Sequence, residues 1–298
     1  MSSEFPIELR EWFERGAYRE VGGREIFCLD TGPSDSREVV VVLHGFPTSS
    51  FDWHRLLPML EGKRRVILFD LPGFGFSEKP LSYGYALFEQ ADLVEVLLRE
   101  LGVGVPVHLV AHDMGTSIAC ELLARRAVGL GHVSMRSLVL MNGSIYIEMA
   151  HLTPSQRLLR SPLGPFFARW ATRRLFHFQM GRILEQPLPP TELEAMWAQL
   201  QFRDGRERLP QIIRYLEERW RFRHRWIGAL RTLDIPTLVL WGVCDPVARF
   251  AIGERLAREI PHAHLEPLGR VGHYPQLEDP GRTGEALLRF LDQVSPAA

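Results

Sequence analysis

The sequence predicts an α/β protein: one mostly parallel, wound central sheet flanked by helices, with an inserted helical lid. Three observations carry this. Short apolar runs recur at residues 39–43, 66–69, 107–110, 137–141 and 237–241, and runs this apolar suit strands buried on both faces of a parallel sheet. Helical patterns separate them, the clearest spanning 87–101, where Leu93, Val94, Leu97, Leu98 and Leu101 form one stripe and Gly102 stops it. The alternation then lapses over 144–231, where Arg, Trp, Phe and Pro replace the strand pattern, and it resumes with a final helix near 283–291. The expected organisation is a core domain formed by residues 1–143 and 232–298, with 144–231 as a lid over the strand ends.

In chain order, the opening MSSEFPIELREWFERG mixes acids and bases from its fourth residue and has no apolar centre, which argues against a signal peptide or membrane span. A net charge of −1, with 46% hydrophobic and 24% charged residues, describes an ordinary globular protein and offers no footprint for nucleic acid. Cys28, Cys120 and Cys244 are odd in number, far apart and set in apolar runs, so three buried reduced thiols in a cytoplasmic protein are expected. No metal-ligand spacing is visible. Basic charge is carried by 33 Arg and two Lys, Lys63 and Lys79, a bias from which no function follows.

The first apolar run ends in His44-Gly45-Phe46-Pro47. The third, VHLVAHDMGTSIACELLARR, passes from strand to helix with Asp113 at the tip of a sharp elbow. Strand and helix approach closely in such an elbow, so small residues must flank the tip. Gly115 meets this rule, and Ala111 stands where a first glycine is usual. The tip is commonly serine. Asp113 has an alternative role as a helix N-cap, but two further features converge on it. In the fold these features suggest, the backbone N–H groups of Phe46 and Met114 would form a two-donor hole around one oxygen. Downstream, LWGVCDPV sets Asp245 just past a strand and GRVGHYPQLEDP sets His273 in a Gly-flanked loop, giving the order nucleophile, acid, histidine. His44 and His112 are expected to support this site rather than act as bases.

These motifs resemble the α/β-hydrolase fold, in the epoxide hydrolase and haloalkane dehalogenase branch where Asp replaces Ser at the elbow. HGFPTSSFDW, DLPGFGFSEKP, RWIGAL and HYPQLEDP are also similar to segments of the mesoderm-specific transcript proteins, and the likeness covers nearly the whole chain after about the first 20 residues. The resemblance implies a carboxylate that displaces a leaving group from an sp3 carbon and becomes an alkyl ester, which water activated by His273 then hydrolyses while Asp245 orients the imidazole. It implies no metal or organic cofactor.

An opening epoxide develops an alkoxide and wants an O–H donor such as tyrosine; a departing halide wants only N–H donors. The halide-binding Trp and Asn of dehalogenases fall at positions held here by Met114 and Phe46, and no Arg closely follows Asp113 as in fluoroacetate-type enzymes. Tyr215, in QIIRYLEERWRF, lies where epoxide hydrolases carry a ring-opening tyrosine. A second such tyrosine is absent from ARWATRRLFHFQM, leaving Tyr146 or His177 as substitutes. Lid aromatics Phe166, Phe167, Trp170, Phe176, Phe178 and Trp197 are expected mostly as lid interior, some lining an apolar pocket. The expected partners are therefore a small hydrophobic epoxide and water, with the chain a monomer or homodimer. Haloalkane dehalogenation, ester or lactone hydrolysis and non-catalytic ligand binding are the alternatives. Over 151–232 the chain holds 15 Arg against seven acidic residues, which reads first as a solvated, ion-paired face, with a surface for an anionic membrane or an acidic partner as the alternative.

Overall fold

A computed structural model describes residues 5–295. Helix α1 (Ile7–Arg15) leads into the hairpin β1 (Ala17–Val21) and β2 (Arg24–Thr31), followed by β3 (Val39–Leu43), α2 (Leu57–Leu60), β4 (Arg65–Phe69), α3 (Leu87–Glu100), β5 (Val107–His112), α4 (Met114–Ala127) and β6 (Met135–Met141). Six helices then intervene: α5 (Pro154–Leu159), α6 (Gly164–Trp170), α7 (Arg173–Gly181), α8 (Pro190–Gln201), α9 (Leu209–Ile212) and α10 (Tyr215–Arg231). The chain finishes with β7 (Thr237–Gly242), α11 (Phe250–Glu259), β8 (Ala263–Leu268), α12 (Pro275–Glu278) and α13 (Pro280–Val294).

The eight strands form one sheet in the order β1-β2-β4-β3-β5-β6-β7-β8. β1 and β2 are antiparallel to their neighbours, and every pairing from β4 to β8 is parallel. The five apolar runs of the sequence are β3 to β7, five of the six inner strands, and β3, VVVVL, is buried at every position. Each such side chain removed from water contributes roughly 1.5–3 kcal/mol before the entropy of ordering is set against it. The three strands that the apolar pattern missed are β1, β2 and β8. β1 is exposed at four of its five residues, and β8, AHLEPL, is an edge strand that tolerates Pro267 because its outer N–H positions need no ladder partner.

The topology reverses direction beside β3, which lies between β4 and β5. Ligand sites in open α/β sheets gather outside the carboxyl ends of strands at such a point. The groups of interest follow this rule: His44 leaves β3, Asp113 leaves β5, Asn142 leaves β6, Asp245 follows β7 and His273 follows β8.

Helix α10 does not float above the core. It is fastened to α4, where the buried Glu121 carboxylate accepts hydrogen bonds from Arg225 Nε at 2.9 Å and from the Trp226 indole N–H at 2.9 Å, and pairs with Arg125 from its own helix. One sequence expectation is corrected here. Cys28 and Cys120 are buried, but Cys244 is exposed, because it sits in the turn between β7 and Asp245 rather than inside a strand.

Candidate active site

Asp113 stands at the turn from β5 to α4 with φ 44° and ψ −109°, a left-handed conformation that a non-glycine residue adopts only when its surroundings force it. The surroundings are tight. A methyl group on Gly115 would come within 2.6 Å of the Leu43 carbonyl oxygen, and one on Gly45 within 2.6 Å of Asp113 Cβ. These two glycines let the β3 loop and the elbow touch. The Asp113 side chain makes no capping bond to α4, so the N-cap alternative fails. Instead Oδ2 accepts the Phe46 N–H at 2.9 Å. Among the described residues, the Met114 N–H does not bond that oxygen.

His273 Nδ1 donates to Asp245 Oδ2 at 2.7 Å. The carboxylate is fully occupied: Oδ2 also accepts from Asn142 Nδ2 at 2.8 Å, and Oδ1 accepts the N–H groups of Val247 at 2.7 Å and Ala248 at 3.0 Å. Burial works against the charge of Asp245, yet His273, Asn142 and the Val247 N–H together hold it below the usual carboxylate range. Burial likewise opposes an imidazolium at His273, but Asp245, by charge and hydrogen bond, and then Asp113 override it and push the imidazole up to about 9. A group raised from 6.5 to about 9 stabilises the fold fully below pH 6.5 and loses that contribution as pH rises through 9. The melting temperature should therefore fall between about pH 6.5 and 9.5, and Asp245→Asn should flatten that slope. An equal slope in the variant contradicts the pairing.

The two supporting histidines are neutral and spent. His44 Nδ1 donates to Gly45 O at 2.9 Å and its Nε2 accepts the Leu71 N–H at 3.0 Å, tying the β3 loop to the β4 loop; burial lowers its affinity for a second proton. His112 Nε2 donates to the His273 carbonyl at 2.7 Å, its Nδ1 accepts from Gln276 at 3.3 Å, and burial pulls it down to about 4. Through these bonds each ties one loop beside the site to another.

The structure adds three groups. Asn142 bridges β6 to Asp245. Glu278 accepts the N–H groups of Gly272, Tyr274, Glu185 and Gln186 at 2.7–3.0 Å, holding the His273 loop against the segment after α7. Arg219, from α10, is buried against the elbow: it donates to the Asp113 carbonyl oxygen at 3.0 Å and to Ser117 Oγ at 2.8 Å, and lies 3.8 Å from Asp113 Oδ1. Asn142 and Glu278 lie inside or beside recognisable motifs. Arg219 gives no sequence signal, being one arginine among many.

Tyr215 is buried, with its ring 5.7 Å from that of Phe46 and 4.6 Å from the Arg219 guanidinium. Burial and then the Asp113 charge raise its phenol, against the pull of Arg219, and no hydrogen bond holds its hydroxyl among the described residues. Of the two substitutes for a second tyrosine, Tyr146 is corrected: its hydroxyl donates to Glu259 at 2.7 Å beneath Arg255. The His177 imidazole lies 3.6 Å from Glu194 with no hydrogen bond at its Nε2 among the described residues.

A cavity of about 280 Å³ has His273, Phe46, Pro47 and Val247 at the core side and Phe167, Phe176, Met180 and Trp197 among its other walls. Asp113 and Tyr215 lie one residue deeper, each in contact with Phe46. Of the aromatics expected as lid interior, Phe176 and Trp197 are buried and Phe167 half-buried, whereas Phe166, Trp170 and Phe178 are exposed.

The chain matches the model of the alpha/beta hydrolase fold over residues 38–280. It is 42% identical over 286 residues to LipZ of Mycobacterium tuberculosis, a protein named as a hydrolase, covering 95% of this chain and 98% of that one. To the mesoderm-specific transcript homolog protein of Homo sapiens it is 37% identical over 296 residues, covering 95% and 88%. Among solved structures, a haloalkane dehalogenase from Bradyrhizobium elkani is similar with a TM-score of 0.81 and 26% identity, over 94% of this chain and 98% of that one.

Proposed function

The chain belongs to the α/β-hydrolase family, and from that premise we propose that it is an epoxide hydrolase, converting small hydrophobic epoxides to vicinal diols through an alkyl ester on Asp113. The observation that carries this is the placement of a strained aspartate, in the serine position of the elbow, between the Phe46 N–H and the Tyr215–Arg219 pair. A carboxylate attacks an sp3 carbon and leaves the ester carbonyl on the enzyme. Oδ2, already held by Phe46, becomes that carbonyl oxygen, and the Met114 N–H is the second donor when the carbon turns tetrahedral.

Arg219 explains how a buried phenol serves as the acid. Alkylation neutralises Asp113, and a buried cation stripped of its partner costs about 3–5 kcal/mol. As the C–O bond of the epoxide breaks, the Tyr215 proton passes to the departing oxygen and the new phenolate lies under the same guanidinium. Negative charge leaves one side of Arg219 and arrives on the other. The ester also removes one of the charges that hold the proton on His273, so Nε2 releases that proton to solvent and can then take one from the attacking water. Water oxygen then adds to the ester carbon, the diol departs, and the proton returns to Tyr215. The residues 144–231, acting as a lid, would complete the apolar cavity around the substrate.

Tyr215→Phe and Arg219→Met should each slow epoxide opening by about 100-fold or more, and Arg219→Lys should recover part of the loss. Diol formation from styrene-type and cyclic epoxides is the assay; unchanged rates in both variants contradict the assignment. A second reading, haloalkane dehalogenation, is favoured by the similar structure from Bradyrhizobium elkani and by Trp197 in the cavity wall. Phe46 and Met114 supply no side-chain donor for a halide. Halide release from matched alkyl halides, in the absence of diol from epoxides, would favour that reading.

A further inference from the structure

Leu163, Phe166 and Trp170 stand 62%, 67% and 76% exposed. Spaced by three and four residues at α6, they share one face of the helix, and Phe178 on α7 adds a fourth large apolar side chain, 63% exposed. Large apolar side chains left exposed together on one short segment in this way mark a binding surface in a protein that otherwise buries its core.

The charges around it say what it binds. Residues 160–182 carry five arginines and no acid. Arg160 pairs with Glu217 and Arg173 with Glu194, while Arg169, Arg174 and Arg182 are exposed with no acidic partner among the described residues. A second copy docked symmetrically here would set arginines against arginines. Trp, Phe and Leu within a cationic rim instead match the headgroup layer of an anionic bilayer, where the apolar groups enter the acyl boundary and the arginines meet lipid phosphates. The same segment also walls the cavity: Phe167, Phe178 and Arg182 line the space that ends at His273.

We propose that α6 and α7 form a docking surface for anionic lipid bilayers, through which an apolar molecule dissolved in the bilayer passes into the cavity. This inference does not depend on which bond the site hydrolyses. The full chain is tested by flotation with phosphatidylcholine vesicles and with vesicles containing phosphatidylglycerol, at low and high salt. Binding to the anionic vesicles alone, weakened by salt, is expected. Trp170→Ser should weaken it about tenfold or more, and neutralising Arg169 and Arg174 roughly fivefold each. These positions are exposed, so thermal melting should be unchanged. Absence of binding to anionic vesicles, or binding indifferent to Trp170→Ser, overturns the proposal. So does a dimer that Trp170→Ser dissociates, which would give this face to a second copy.

Discussion

Asp113→Asn should abolish diol formation, by about 10⁴-fold or more, while leaving the fold intact. The amide keeps the size of the side chain and can still accept the Phe46 N–H at the oxygen now held at 2.9 Å. What it loses is the charge that makes the group a nucleophile, and the Asp245 carboxylate cannot take over, being saturated by four donors. The variant also leaves Arg219 without its ion partner at 3.8 Å, so part of any stability change belongs to that buried cation rather than to the chemistry. Intact mass after incubation with epoxide separates the two effects, because the variant should carry no adduct at any epoxide concentration. Diol production by Asp113→Asn at rates within tenfold of the parent would remove the nucleophile from the account.

The second large effect is expected at His273. Replacing it with Gln should stop turnover but not alkylation, because Asp113 attacks without a base and only hydrolysis of the ester needs one. The variant should therefore consume one equivalent of epoxide and gain its mass, with the adduct mapping to the peptide that contains Asp113. Asp245→Asn should slow the same step less severely, since it disturbs the orientation and charge of the imidazole and leaves the ring in place. Unmodified His273→Gln protein after long exposure to a substrate that the parent turns over would contradict the two-step scheme.

The parts of the fold legible in the sequence were those in which local pattern and burial agree. β3 to β7 are apolar on both faces because helices cover both faces, and α3 shows one stripe because one side packs. β1 and β8 escape that logic at the sheet's edges, where polar residues and Pro267 are tolerated. At the site, Asp113, Asp245 and His273 were readable because each follows a strand within a motif whose glycines the geometry demands. Tyr146 misled because its partners, Glu259 and Arg255, come from α11, more than 100 residues away, and nothing local reveals them. Arg219 was hidden for the converse reason: in a segment rich in solvated arginines, the one that is buried is distinguished only by Ser117 and the Asp113 carbonyl, both supplied by α4 and its turn. The exposed face of α6 was masked by the ordinary expectation that aromatic residues pack inward.

The central claim is that the oxygen added to substrate comes from Asp113. A single turnover with enzyme in excess over epoxide, run in water enriched in the heavy oxygen isotope, tests it directly. Unlabelled diol and heavy oxygen in the peptide containing Asp113 are expected. Labelled diol in that first turnover, with an unlabelled peptide, would mean that water attacks the substrate itself and that no ester forms.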